Sequence, residues 1–123
     1  MSDPAKNLEK LAWKGDSLVH GWVGEVAPTL ADLTASFVFG DVYAQAQLSP
    51  RERELVITAI LAATGAFPDG MAEHAELARK SGATDGQVDE LFTLVAAYAG
   101  FPRAISAARE LQARRRTPTD GPG

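Results

Sequence analysis

No segment of this chain alternates apolar and polar residues in the two-residue rhythm of a half-buried strand, and alanine occurs 22 times among its 123 residues. Alanine loses no side-chain entropy on entering a helix and brings no polar group with it. With the β-branched residues scattered, the chain reads as all-α, a compact bundle of about six helices. A length of 123 residues, 46% of them hydrophobic, suits one domain, expected over residues 1–116. No internal repeat or linker stands out, and the Pro/Gly-rich stretch at 117–123 is expected to be a disordered tail.

The helix punctuation is explicit at several places. A weakly specified first helix is expected from Pro4 to about Lys14, and residues 15–25, around His20 and Trp22, are ambiguous. A second helix should begin near Pro28 and run to about Ala44, with Leu30, Leu33, Phe37, Val38 and Val42 on one apolar face. Ser49 as N-cap, Pro50 at the first helical position and Glu52 completing an S-x-x-E box open the third. Its body, Leu55 to Ala63, is apolar nearly all round, which places it in the bundle centre or at a subunit interface, and Gly65 ends it. Asp69 is the expected N-cap of a fourth helix reaching about Ser81 and closed by Gly82. Thr84 and Gln87 form a second capping box, opening a fifth helix with Val88, Leu91, Phe92, Val95 and Tyr98 on one stripe. Gly100 stops it, and Pro102 starts a last helix through Ile105, Ala108, Leu111 and Gln112.

Composition removes several function classes. Cysteine is absent, which excludes disulfides, thiolate nucleophiles, Cys-based zinc sites and peroxidatic thiol pairs. The two histidines are far apart, so no metal site is expected, nor is any cofactor. Twelve Lys and Arg against sixteen Asp and Glu give a formal charge of -4, and three of the basic residues are Arg114 to Arg116. Phosphate binding needs a clustered basic face, so nucleic acid is not expected as a partner, and the terminal arginines read as a solvated helix end. The N-terminus has no continuous apolar stretch, and the Leu55 to Ala63 run is far short of the roughly 20 residues of a membrane span. A soluble, cytoplasmic protein without a membrane partner is the expectation.

A few side chains can carry chemistry. His74, three residues after Met71 and four before Ala78, lies on the apolar side of its helix. There it serves either as a general acid or base, or as a core imidazole bonded to a carbonyl. Arg51 and Arg53 stand in a first helical turn, where the macrodipole disfavours cations, so an anionic substrate group or an inter-subunit carboxylate should hold them. Glu54 and Thr58 share one face of an otherwise apolar helix, and Glu54 is either a pocket carboxylate or an ordinary first-turn acid. Asp41 and Tyr43 close the second helix and can offer a carboxylate and a phenol; Tyr98 precedes the Gly100 break, where an aromatic commonly packs with its hydroxyl on a carbonyl.

Three stretches taken together resemble the carboxymuconolactone decarboxylase family. They are Phe39-Gly40-Asp41-Val42-Tyr43-Ala44, Leu48-Ser49-Pro50-Arg51-Glu52-Arg53-Glu54-Leu55-Val56 and Tyr98-Ala99-Gly100-Phe101-Pro102-Arg103-Ala104. His74 falls where that family has a helix histidine, Gly82-Ala83-Thr84 is similar to its turn into the next helix, and the likeness covers roughly residues 28–112. The resemblance implies an alkylhydroperoxidase D-like all-α subunit in a ring-like homo-oligomer, a homotrimer or homohexamer, with active sites near subunit contacts. It implies cofactor-free decarboxylation of 4-carboxymuconolactone to the 4-oxoadipate enol-lactone, in aromatic-acid degradation. His74 would then transfer the proton, Glu54 would be a second catalytic residue, Arg51 or Arg53 would orient an anion, and Asp41, Tyr43 and Tyr98 would line the substrate site.

Two departures qualify the likeness. The related thiol peroxidases read Glu, eleven residues, Cys-x-x-Cys and then His; here Glu54 is followed by Ala66 and Asp69 at the cysteine positions, and His74 comes one position late. Peroxidase chemistry is therefore lost. The decarboxylases usually carry Trp, a small residue and Arg-Pro-Gly-Leu after the second helix, whereas this chain has Tyr43-Ala44-Gln45-Ala46-Gln47-Leu48, so that Gln45 replaces the arginine. If that arginine binds a substrate carboxylate, the substrate has changed. A fold relative catalysing an isomerisation or cyclisation, and a non-catalytic oligomeric scaffold, are the two other readings.

Overall fold

The computed structural model describes residues 22–116, so the expected first helix, His20 and the tail lie outside the described residues. Every regular element among them is helical, and they fall into two compact units that divide between Leu48 and Ser49.

The first unit holds α1 (Trp22–Val26), α2 (Pro28–Leu33) and a π-helix, π1 (Thr34–Val42). Pro28 begins α2 as its fixed φ predicts, but the expected α-helix to Ala44 gives way after Leu33 to the wider i→i+5 winding. Two hydroxyls stand at the change: Thr34 Oγ1 donates to the Leu30 carbonyl at 2.8 Å and Ser36 Oγ to that of Asp32 at 2.9 Å. Such bonds draw on carbonyls that the ladder uses and bend a helix. The predicted apolar face is not the buried one. Leu30, Leu33 and Phe37 are 56%, 57% and 59% exposed, while Ala31, Phe39, Gly40 and Tyr43 are buried. Phe39 and Tyr43 meet edge to face, ring centres 5.1 Å apart.

The second unit is four helices, α3 (Pro50–Thr64), α4 (Pro68–Lys80), α5 (Asp85–Ala99) and α6 (Phe101–Arg116). Helix α3 packs most extensively on α4 and also meets α5 and α6; α5 and α6 form a hairpin. Ser49 caps α3 in the expected box, and Gly65 closes it in the left-handed conformation at φ 67°. The Arg103 guanidinium lies against Gly65 so closely that a Cβ there would stand 2.5 Å from its Nη1. Thr84 and Gln87 cap α5 reciprocally, and Gly100 ends it at φ 113°.

Helix α4 starts two residues earlier than expected. Pro68, with its preset φ, takes the first helical position and Phe67 the cap, leaving Asp69 inside the first turn, where it binds Arg114 of α6 through Nε at 2.7 Å. The core is built mainly from small residues that let helices approach closely: Ala62, Met71, Ala75, Leu91, Val95, Ala96, Ala104, Ala107 and Leu111. Two apolar expectations fail here. Tyr98 is 89% exposed rather than on the core stripe, and α6 buries Ala104, Ala107 and Leu111 while Ile105 and Ala108 face outward.

Candidate active site

Glu54 occupies the second turn of α3, on the face that packs against α4, and its side chain is wholly buried. A carboxylate withdrawn from water needs a counter-charge and hydrogen bonds to each oxygen. Both are present. His74 Nδ1 lies 2.6 Å from Oε1, and Arg53 Nε donates to Oε2 at 3.1 Å. Thr58, one turn on and equally buried, donates its hydroxyl to the Glu54 carbonyl at 2.7 Å, which keeps that polar group satisfied inside the helix.

The carboxylate fixes the imidazole. An ionised carboxylate only accepts, so against ionised Glu54 the His74 imidazole donates from Nδ1–H. The His74 side chain is 13% exposed and that of Arg53 18%, against none for Glu54. A buried anion thus sits behind a histidine and an arginine that both reach the surface of the unit. This is the arrangement of an oriented acid–base group.

Of the candidate residues, the structure brings Arg53, Glu54, Thr58 and His74 together. Arg51 is exposed one turn away, and Tyr98 points to solvent. Asp41 is exposed and Tyr43 buried, both within the first unit. Arg53 engages the adjacent carboxylate of its own chain, that of Glu54. The Asp69–Arg114 link joins residues far apart in the chain, and no local pattern in the sequence indicates it. Arg114 reaches Asp69 and, through Nη1, Glu110 at 2.7 Å, tying the first turn of the helix that carries His74 to the end of α6. Among the described residues no group of three or more His, Asp and Glu is placed to hold a metal ion, and no helix is long and apolar enough to cross a membrane.

No curated protein matches the chain. The profile of the carboxymuconolactone decarboxylase family matches residues 28–113, a span that takes in π1, the capping box of α3, Glu54, His74 and the Gly100 break. It covers well over half of the sequence, and the chain belongs to the carboxymuconolactone decarboxylase family.

Proposed function

We propose that the protein is a cofactor-free carboxy-lyase of the 4-carboxymuconolactone decarboxylase type, acting on a small carboxylated lactone or a related enolisable acid. One observation supports this above the others: the 2.6 Å bond between His74 Nδ1 and a wholly buried Glu54, which orients the imidazole for proton transfer. Departure of carbon dioxide breaks the bond to the carboxyl carbon and leaves its electron pair on the substrate, spread into the adjoining carbonyl. Protonated His74 delivers its proton to that carbon and ends neutral; solvent returns the proton before the next turnover. Glu54 stabilises the imidazolium form. Arg51 orients the anionic group in this scheme.

Self-association as a homotrimer or homohexamer belongs to the same proposal. Val56 and Ile60 on α3 are 47% and 55% exposed, and Leu94 and Tyr98 on α5 and Phe101 and Ile105 on α6 are exposed as well, an amount of apolar surface that a second copy would cover. Tyr98 would then serve a neighbouring subunit's site. Gln45, in place of the family's arginine, favours a second reading in which the same histidine performs an isomerisation or cyclisation.

Turnover of 4-carboxymuconolactone by the purified protein, followed as enol-lactone formation and carbon dioxide release, is the test. His74→Ala is expected to lower kcat at least about 100-fold while helix content persists. Absence of turnover by the folded wild type would overturn the decarboxylase assignment.

A further inference from the structure

Two Asp–Gly pairs stand in first helical turns, Asp69–Gly70 in α4 and Asp85–Gly86 in α5. Such a pair carries a chemistry of its own, because a glycine amide has no side chain to shield it. Its nitrogen can attack Cγ of the preceding aspartic acid. The new C–N bond closes a succinimide ring, the C–OH bond breaks, and the hydroxyl leaves with the amide proton as water. Water then opens the ring at either carbonyl and gives aspartate or isoaspartate, with nothing oxidised or reduced. Inside a helix the hydrogen-bond ladder holds the amide back. Here the ladders begin further on: Met71 N–H donates to the Phe67 carbonyl at 2.9 Å and Val88 N–H to that of Thr84 at 3.1 Å, so both glycine amides lie ahead of them.

The two glycines are not equally needed. A Cβ on Gly86 would meet the Thr84 hydroxyl oxygen at 3.8 Å, an ordinary contact, whereas one on the buried Gly70 would run into the Phe67 ring. Helix α4 therefore keeps its Asp–Gly pair, five residues before His74. The carboxylate is held instead. Arg114 of α6 sets both Nε, at 2.7 Å, and Nη2, at 2.6 Å, on Oδ1 of Asp69, and its Nη1 is anchored on Glu110 at 2.7 Å. A guanidinium fixed at two edges cannot follow the carboxyl as it turns toward the Gly70 nitrogen, so two charge-assisted bonds must break before the ring closes. Asp85 is met by one nitrogen, Nη1 of Arg79 at 2.5 Å.

We infer that Asp69–Gly70 is a site of spontaneous aspartate isomerisation and that the ion pair from Arg114 restrains it. Isoaspartate routes the main chain through the side-chain carbon, which would lengthen the backbone in the first turn of the helix that carries His74. The reaction needs neither substrate nor the acid–base pair, so the inference stands apart from the turnover assay.

The full chain is incubated at neutral pH, well below its unfolding temperature, and then digested with trypsin. Cleavage after Arg53, Arg79, Lys80 and Arg103 leaves Asp69 and Asp85 in separate peptides, with Asp69 the only aspartate in its own. Chromatography with mass spectrometry resolves isoaspartate from aspartate in each and detects the succinimide as one water lighter. Arg114→Gln should raise isoaspartate formation at residue 69 about three- to fivefold over wild type, with residue 85 unchanged as the reference in the same sample. Should that variant lose helix content, Arg114→Lys, which keeps the charge but not the two-pronged grip, takes its place, and a rise above about twofold is again expected. A rise of less than about twofold at residue 69, or equal rises at 69 and 85, would overturn the inference. The first result would make the helix alone the restraint, and the second would trace the change to a general loosening.

Discussion

Helices α3 and α5 are built on one frame and do opposite things with it. Each has 15 residues, a reciprocal capping box (Ser49 with Glu52, Thr84 with Gln87) and a positive-φ glycine at its end, Gly65 or Gly100. The interiors correspond as well. Glu54 and Asp89 stand at the same distance from their caps, as do Thr58 and Thr93, and each threonine donates to the carbonyl of its acid, at 2.7 Å and 3.3 Å. Yet Glu54 and Thr58 are buried, whereas Asp89 and Thr93 are exposed. In α5 the buried set is Val88, Leu91, Val95 and Ala96; the counterparts of Leu91 and Val95 in α3 are Val56 and Ile60, which face out. The difference lies in the neighbours. Helix α4 lies along α3 and brings His74 to the acid, while α5 packs against α3 and α6 through its apolar stripe. Local sequence sets where such a helix begins and ends; packing decides whether a carboxylate in its second turn is a solvated charge or part of a reagent.

The comparison breaks most visibly at its apolar positions. Leu91→Ala removes a side chain from the core cluster and should cost about 3 kcal/mol in urea unfolding, by lost transfer energy and the cavity left behind. Val56→Ala, at the matching place in α3, should stay within about 0.5 kcal/mol in the isolated subunit. A penalty for Val56→Ala that grows with protein concentration would show that a second copy covers this face. Equal costs at the two positions would mean that the helices are not rotated relative to their frames as described.

The acids come next. Glu54→Ala strips Arg53 and His74 of a shared, buried acceptor and should destabilise the unit by about 2 kcal/mol. Asp89→Ala, on the solvent side of α5, should change stability by no more than about 0.5 kcal/mol. Chemical denaturation of the two variants side by side separates them, and similar losses would remove the distinction between a buried reagent and a surface charge.

How far these contrasts could be read from sequence follows from their range along the chain. Caps and stops involve residues three or four apart, and Ser49, Gly65, Thr84 and Gly100 stand where their chemistry predicts. Faces are harder. Tyr98 continues the 3.6-residue stripe of α5 but is exposed near the helix end, and the π winding after Leu33 rotates Phe37 away from the side that α-helical spacing assigns it. His74 and Glu54 are both conspicuous in the sequence, but their contact spans 20 residues and depends on how α3 and α4 cross. A first-turn arginine opposes the helix dipole, which points to an anion or a carboxylate near it; the carboxylate that Arg53 meets in the structure is the adjacent one, buried by the same crossing.

The smallest expected effect separates the two capping boxes themselves. Ser49 N–H donates to Glu52 at 2.8 Å and Thr84 N–H to Gln87 at 3.0 Å, so the geometry is shared, but only the glutamate titrates. The backbone bond from Ser49 holds the Glu52 carboxyl below its ordinary range, with the Ser49 side chain adding in the same sense. A carboxyl lowered in the folded state stabilises that state above its unfolded value, and the contribution is lost as pH falls through the folded one. Between pH 6 and about pH 3 the start of α3 should therefore loosen while that of α5 does not. Amide hydrogen exchange at Ser49 and Thr84 reads the two ends within one sample: protection at Ser49 should fall relative to Thr84 as the solution is acidified. In Glu52→Gln the two should move together, because the variant gives α3 the box that α5 already has. A parallel loss at both ends in the wild type would trace the acid response to the whole unit, the buried Glu54 included, rather than to the cap.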